Sequence, residues 1–438
     1  MARIDNKSEE KVLLDSLSFQ TLKPTYEKNL NYLIRKYSVE HDDSFKELVN
    51  FKKNSLIPKH SWFEYKQGYS HQLVRNLIIH ENPPENLHIL DPFCGVGTTN
   101  LVAQELGYRS VGYDVNPVAT LVARSKTSIF IAKEIESLEN IIKNISFDKA
   151  FERPKLKLLI GAYEDKDLKI LMQIRGFIES LDNQKFKDFF MTAFLSIVEE
   201  CSNRKKDGNG IKIIKKPRSK LNIKSLYISI LKRMIVDIKN HKNEDQALIY
   251  QDTFLNNQLE DCSVGLTITS PPYANCFDYC EVYKLELWMG GFVREYRDFD
   301  MYRNTAIRSH VNSKFSHQIA NEINFVEVIT QCISCFNVWN KNIPIMIKGY
   351  FDDMYDVIKE IFRVSVQGAK FYIVVANSCY KNILVPTDLI LAEIASQLGF
   401  KVKKIIKARN LRASSQQMIE VNNNFKELLR ESIIILEK

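Results

Sequence analysis

The amino-acid sequence predicts an α/β chain built on a doubly wound open sheet of seven strands, with a mainly helical insertion. Three observations lead there. Strand and helix patterns alternate from Leu87 onward, the first strand ends in an acid followed by a glycine turn, and a charged, helical stretch interrupts the alternation between residues 127 and 245. Alternating strand–helix units imply parallel strands joined by right-handed crossovers. In such sheets ligands gather beyond the carboxyl ends of the strands.

The elements follow in order. Residues 1–60 read as helices and polar connections, an N-terminal helical extension. "LHILD" is a strand ending at Asp91, and "TTNLVAQELGY" continues with apolar residues at helical spacing. "RSVGYD" is the next strand, ending at Asp114, and "NPVATLVARSK" the next helix. Within the insertion, "DLKILMQIRGFIESL", "FKDFFMTAFLSIVEECS" and "SLYISILKRMIVDIKNH" each carry an apolar helical stripe. Strand-like runs then resume as "QALIYQD", "SVGLTITS", "AKFYIVVANS", "FKVKKIIKARN" and "ESIIILEK", which with the first two make seven. The sheet domain therefore comprises residues 61–126 and 246–438, and residues 127–245 form the insertion.

Composition sets the frame. A chain of 438 residues with 45% hydrophobic content can bury a substantial core. Its formal charge of +8 is compatible with a polyanionic partner without establishing one. In "NRKKDGNGIKIIKKPRSK", Arg204, Lys205, Lys206, Asn209, Lys212 and Lys216 crowd around a Gly-Asn-Gly turn, either as a solvated loop or as phosphate contacts on nucleic acid. "IKARNLRASSQQM" presents Arg409 and Arg412 with the same two readings. No apolar run reaches the roughly 18 residues of a membrane span, and the start of the chain lacks the apolar core of a signal peptide, so the expected compartment is the cytoplasm. The eight cysteines are scattered, and the pair Cys332 and Cys335 has no second pair at zinc-ligand spacing. Reduced core thiols and no metal are expected.

The first chemical constellation is "LDPFCGVGTTN", where Gly95 and Gly97 follow a strand and precede a helix. That arrangement brings backbone close to a nucleotide-like ligand. Asp114, ending the next strand, can accept hydrogen bonds from both hydroxyls of a ribose. No Gly-Lys-Ser/Thr follows the turn, which counts against a nucleoside triphosphate.

"DPFCGVGTT" followed later by "TSPPY" resembles the DNA amino-methyltransferases, which use S-adenosylmethionine to methylate the exocyclic nitrogen of cytosine or adenine. The resemblance implies a Rossmann-like class I methyltransferase fold, S-adenosylmethionine as cofactor and double-stranded DNA as partner. "WFEYKQGYSHQLVRNLI" is similar to the family's segment that closes over the methionine end of the cofactor, and "IYQDTF" to its adenine-contacting loop. By resemblance, Asp91, Phe93, Gly95, Gly97 and Thr98 belong to the cofactor loop, with Tyr69 and Ser70 at the methionine carboxylate, Asp114 at the ribose and Asp252 at the adenine amine.

The corner Ser270, Pro271, Pro272, Tyr273 then acquires a chemical role. An exocyclic base amine is a poor nucleophile because its lone pair is delocalised into the ring. Acceptors that pull on its N–H groups favour a tetrahedral nitrogen in the transition state. Ser270 Oγ and the Pro271 carbonyl are the candidate acceptors, the prolines pre-organise them, and Tyr273 offers a face to a base flipped from the stack. Just beyond, "DYCEVYKLELW" reads as an amphipathic helix against the sheet, and Asp278 and Tyr279 near its start are candidates to line the base pocket. Cys94 is expected to be a small packed residue, since no Pro-Cys dipeptide of a cytosine-C5 enzyme occurs. Ser in the first position, where many adenine enzymes of the family have Asp, favours cytosine N4, with adenine N6 as the alternative. RNA guanine-N2 methylation and an inactive DNA-binding subunit are the readings from other classes. Family analogy makes the chain the modification half of a restriction–modification system with a cognate endonuclease, and makes the insertion the candidate target-recognition region.

Overall fold

The computed structural model describes residues 6–438 except Gln67, 155–159, Asn209, 215–221, 241–246, Lys314, 316–317 and 412–426; for residues 6–17 it describes the backbone only. The chain opens with α1 (Asn6–Lys36), the short strand β1 (Val39–His41) and α2 (His71–Glu81). Next come β2 (His88–Asp91), α3 (Thr98–Glu105), β3 (Ser110–Tyr113) and α4 (Pro117–Thr127). The insertion contributes α5 (Ala132–Lys143), α6 (Asp165–Glu179), α7 (Gln184–Val198), the hairpin β4 (Arg204–Asp207) and β5 (Gly210–Ile213), and α8 (Ile223–Lys239). After β6 (Ala247–Tyr250) and β7 (Val264–Thr269) lie α9 (Tyr279–Val282), α10 (Lys284–Met289), α11 (Phe299–Thr305), α12 (Asn324–Ser334) and α13 (Ile343–Val364). The chain finishes with β8 (Ser365–Ala376), the small ladder β9 (Ser378–Tyr380) and β10 (Ile383–Val385), α14 (Thr387–Gln397), β11 (Lys401–Asn410) and β12 (Arg430–Glu437).

The main sheet has the order β1-β11-β12-β8-β7-β2-β3-β6. All seven expected strands are in it. Every neighbouring pair is parallel except those made by β12, which runs antiparallel to both β8 and β11. The strand order reverses between β2 and β7, which places the topological switch point, and hence the cleft, at their carboxyl ends. The sheet is Rossmann-like, mostly parallel and wound in both directions from the switch point.

Alternation along β8 shows how the sheet is covered. Phe371, Ile373 and Val375 face a core shared with α1, α12, α13 and α14, whereas Tyr372 and Val374 face α2 and α3. A third core joins α4 to the helices of the insertion and to α9–α11, with Trp62, Phe189, Phe190, Tyr227 and Tyr283 fully enclosed.

Three expectations change. The sheet has an eighth strand, since β1 pairs with β11, so residues 1–60 are more than a helical extension. Its three residues are too short to show a period, and α1 is also tied in, Tyr26 bonding both the N–H and the carbonyl of Leu384. The described part of the basic loop is the hairpin β4–β5, in which Lys206 points inward. Its period of two is hidden because the inward residue is a lysine. The amphipathic helix after the Ser-Pro-Pro-Tyr corner breaks at Tyr283 into α9 and α10. Cys332 lies in the α12 core, and all eight cysteines are free thiols.

Candidate active site

The carboxyl ends of β2, β3, β6 and β7 open into one cleft of about 1260 Å³, its mouth included. Tyr69, Asp91, Phe93, Gly95, Thr98, Asp114, Asp252 and the corner Ser270, Pro271, Pro272 and Tyr273 all line it. Residues separated by up to about 200 positions in sequence thus meet where the sheet topology requires.

At one end Asp91 closes the floor. Its carboxylate accepts from Thr269 Oγ1 at 2.8 Å, Thr99 Oγ1 at 2.8 Å, the Tyr69 hydroxyl at 2.8 Å and the Phe93 N–H at 3.2 Å. Burial raises its pKa, against the hydrogen bonds that lower it. With its oxygens so occupied, Asp91 ties β2, β7, α3 and the segment before α2 together, and Tyr69 reaches the cofactor end mainly as part of that tie. Sequence reasoning missed Thr99 and Thr269, two hydroxyls in apolar-patterned elements.

The glycine turn is shaped by close approaches. Gly97 has φ +75°, and a Cβ there would stand 2.9 Å from the Ala123 Cβ, so this glycine serves the crossing of the turn with α4 rather than the ligand. Gly95 has φ +50°, faces the Tyr65 ring, and gives its N–H to Asp114 Oδ2 at 3.0 Å. Asp114 Oδ1 accepts from the Asn116 N–H at 2.8 Å. Each oxygen keeps a lone pair for a further donor, which suits the two hydroxyls of a ribose. Burial lifts the Asp114 pKa to about 6, against the two backbone N–H groups that lower it. Asp252 is exposed at the rim, its Oδ1 held by the Thr253 N–H at 2.7 Å and Asn256 Nδ2 at 2.9 Å, beside the buried Phe254 ring. Ser70 departs from expectation. It is fully buried away from the cleft and caps α2, accepting from the Leu73 N–H at 3.2 Å. Cys94 is buried, and burial pushes its thiol pKa well up.

At the other end stand aromatic rings and a buried ionic cluster. Tyr65 stacks on Tyr283 at 4.9 Å and lies parallel to Tyr279 at 6.1 Å. Asp278, 4% exposed, caps α9 and accepts from Arg303 Nε and Asn312 Nδ2, each at 2.9 Å. The His310 ring lies 4.0 Å from the same carboxylate, and burial holds its pKa below the ordinary histidine value. Ser309 accepts from the Cys276 N–H at 3.1 Å, which seats this segment against the loop after Tyr273. Asp278 and Tyr279 do line the cleft; Arg303, Ser309 and His310 were not foreseen, having no motif around them.

A family model described as DNA methylase matches residues 6–124. The chain is 28% identical to the Type II methyltransferase M.BsoBI of Geobacillus stearothermophilus, covering 91% of this chain and 90% of that one. It is equally 28% identical to the Type II methyltransferase M.AvaI of Nostoc sp., with the same coverage. The Type II methyltransferase M.MvaI of Kocuria varians is 22% identical over 93% of this chain and 97% of its own. The chain is thus similar to DNA methylases over its first 124 residues and to Type II methyltransferases over nearly its whole length. The free lone pairs of Asp114 beside a glycine turn fit the ribose of S-adenosylmethionine.

The basic residues divide. Lys205 and Lys212 are exposed on the hairpin, Lys212 2.9 Å from Asp207, and Arg204 is half-buried. Lys206 is a correction. It is 6% exposed, pairs with Glu199 and Glu286, and lies 4.9 Å over the Tyr283 ring, so it fastens the hairpin to the cleft wall and cannot reach a phosphate. Arg409 pairs with Glu431 at 2.5 Å, which commits its guanidinium to the protein. Asn209, Lys216 and Arg412 lie outside the described residues. No helix among the described residues is long and apolar enough to cross a membrane.

Proposed function

We propose that this DNA methyltransferase transfers its methyl group to the N4 amine of a cytosine flipped out of duplex DNA, as the modification enzyme of a type II restriction–modification system. The observation that carries this is the placement of Ser270, Pro271, Pro272 and Tyr273 at the carboxyl end of β7, in the same cleft as Asp114 and the glycine turn. Held by Asp114 and the glycine turn, S-adenosylmethionine would supply an electrophilic methyl on a sulfonium, with the thioether as leaving group in exchange for the new C–N bond and the amine's extra proton passing to solvent. Ser270 Oγ and the Pro271 carbonyl accept the amine's hydrogen bonds, and these strengthen as the nitrogen becomes tetrahedral. Tyr273 stacks on the base, and alignment of nitrogen, methyl and sulfur supplies most of the remaining rate.

Ser rather than Asp at position 270 favours cytosine, and the naming of the curated relatives as Type II methyltransferases supports a cognate endonuclease acting on the same site. Lys205 and Lys212 project from a hairpin whose strand β5 packs against α9, beside the base end of the cleft, and we assign them to phosphate contacts. Digesting DNA from cells expressing the chain to nucleosides and weighing them is the test. N4-methylcytosine is expected; N6-methyladenine alone would overturn the choice of base, and label transferred to RNA but not to duplex DNA would overturn the substrate.

A further inference from the structure

We propose that Glu431 is a positioning residue, which acts through Tyr273 to fix the polarity of the Ser270 hydroxyl as a hydrogen-bond acceptor toward the target amine. The inference rests on the proposed function, in which Ser270 meets that amine. A serine hydroxyl can turn either way, donating or accepting, whereas an exocyclic amine with its lone pair in the ring offers chiefly donors. A Ser270 proton pointing into the cleft would therefore oppose the amine.

The geometry prevents this. The Tyr273 hydroxyl donates to Glu431 Oε1 at 2.8 Å, so its one proton is committed. Its oxygen can then only accept, and Ser270 Oγ stands 3.3 Å away with the Ser270 proton directed at it. The lone pairs of Ser270 are left for the cleft. Glu431 is 3% exposed and has no rotational freedom of its own, because its other oxygen holds Arg409 Nε. Burial and the neighbouring carboxylate push the Tyr273 phenol well above its ordinary pKa, so the proton stays on the ring oxygen.

The topology explains why a residue 158 positions further on arrives here. β12 runs antiparallel to β8 and β11, so its first residues lie at the edge where the parallel strands end. Glu431 sits opposite Ala376 at the end of β8 and opposite Arg409 near the end of β11.

The test uses the full-length chain with labelled S-adenosylmethionine and genomic DNA as acceptor, and compares Tyr273→Phe, Glu431→Gln, the double variant and Ser270→Ala. Tyr273→Phe keeps the packed ring and should lower kcat about tenfold, the effect of one oriented hydrogen bond, with an unchanged cofactor Kd. Glu431→Gln should lower kcat in the parent and cause no further loss in the Tyr273→Phe background. Equal losses from Glu431→Gln in both backgrounds would mark a merely structural residue and overturn the proposal. So would a Tyr273→Phe variant with the parent's kcat, a result that remains readable if Glu431→Gln fails to fold. An inactive parent, or Ser270→Ala with the parent's kcat, would instead remove the proposed function on which the inference stands.

Discussion

The two ends of the cleft are built in different ways. At the cofactor end, the ligand-facing groups come from short stretches after consecutive strands, and apart from the Asp91 floor, which Thr269 ties across 178 residues, their hydrogen bonds are mostly local and to backbone N–H groups. The Phe93 N–H bonds Asp91 and the Asn116 N–H bonds Asp114, each across two residues, and the Gly95 N–H reaches Asp114 across nineteen. At the base end, the partners are distant and mostly side chains. Asp278 meets Arg303 across 25 residues and Asn312 across 34, and Tyr273 meets Glu431 across 158. Arg308, which anchors the segment carrying Ser309 and His310, is gripped by Asp352 and Asp353 of α13. On the proposed function, a backbone cradle thus serves the cofactor, and a side-chain assembly serves the particular base.

That contrast predicts different failures. Arg303→Met at the base end removes a 4% exposed cation and leaves Asp278 and Glu281 without their shared partner. Breaking a buried ion pair from one side costs about 3–5 kcal/mol. The thermal midpoint should fall by many degrees, and a midpoint equal to the parent's would show that the cluster does not hold this end together. Asp114→Ala at the cofactor end should behave in the opposite way. It deletes a carboxylate whose burial is unfavourable, so the free protein keeps its midpoint, while the loss of two charge-assisted hydrogen bonds raises the Kd for S-adenosylmethionine on the order of 100-fold. Calorimetry checks the first quantity and DNA gel shifts a second, the unaltered affinity for duplex. Unaltered cofactor affinity would remove Asp114 from the ribose site.

The same contrast decides what could be read from sequence. The strands, their order in the chain and the glycine turn were legible because each is a short pattern with its own physical signature, as in "LHILD" and "VGLTIT". The clustering of the residues expected at the cofactor followed, since the geometry that brings Asp91, Gly95 and Asp114 to one cleft is set largely within the same few residues. Two exceptions are instructive. Ser70 and Gly97 occupy the expected stretches, but one caps a helix and the other relieves a contact with Ala123, roles that depend on partners outside the motif. Lys206 misled for a related reason. A lysine in a basic run reads as solvated, and only the fold reveals Glu199 and Glu286 around it. Thr269, Arg303, His310 and Glu431 carry no local signal because what defines them is the strand topology that gathers them.

The finest test of the contrast is the pH dependence of cofactor binding, because only the cofactor end places a titrating group against the ligand. Burial raises Asp114 from the usual aspartate value to about 6 in the free protein. The sign follows from linkage. A carboxyl whose folded pKa lies above its unfolded value carries no penalty below the unfolded pKa of 3.8, and its cost to stability grows as pH rises through the interval up to about 6. Ribose hydroxyls donate to the ionised form, so bound S-adenosylmethionine lowers this pKa and binds the ionised protein preferentially. Affinity should therefore be flat above pH 6 and weaken by up to about tenfold per unit below it, until the pKa of the complex is reached. Burial raises the pKa values of Cys94, Tyr65 and Tyr279, keeping them neutral, and the oxygens of Asp91 face their own hydrogen-bond donors rather than the ribose site. Asp114→Asn should flatten the profile between pH 5 and 7 while retaining weak binding; a variant that keeps the parent's slope would place the titrating group elsewhere.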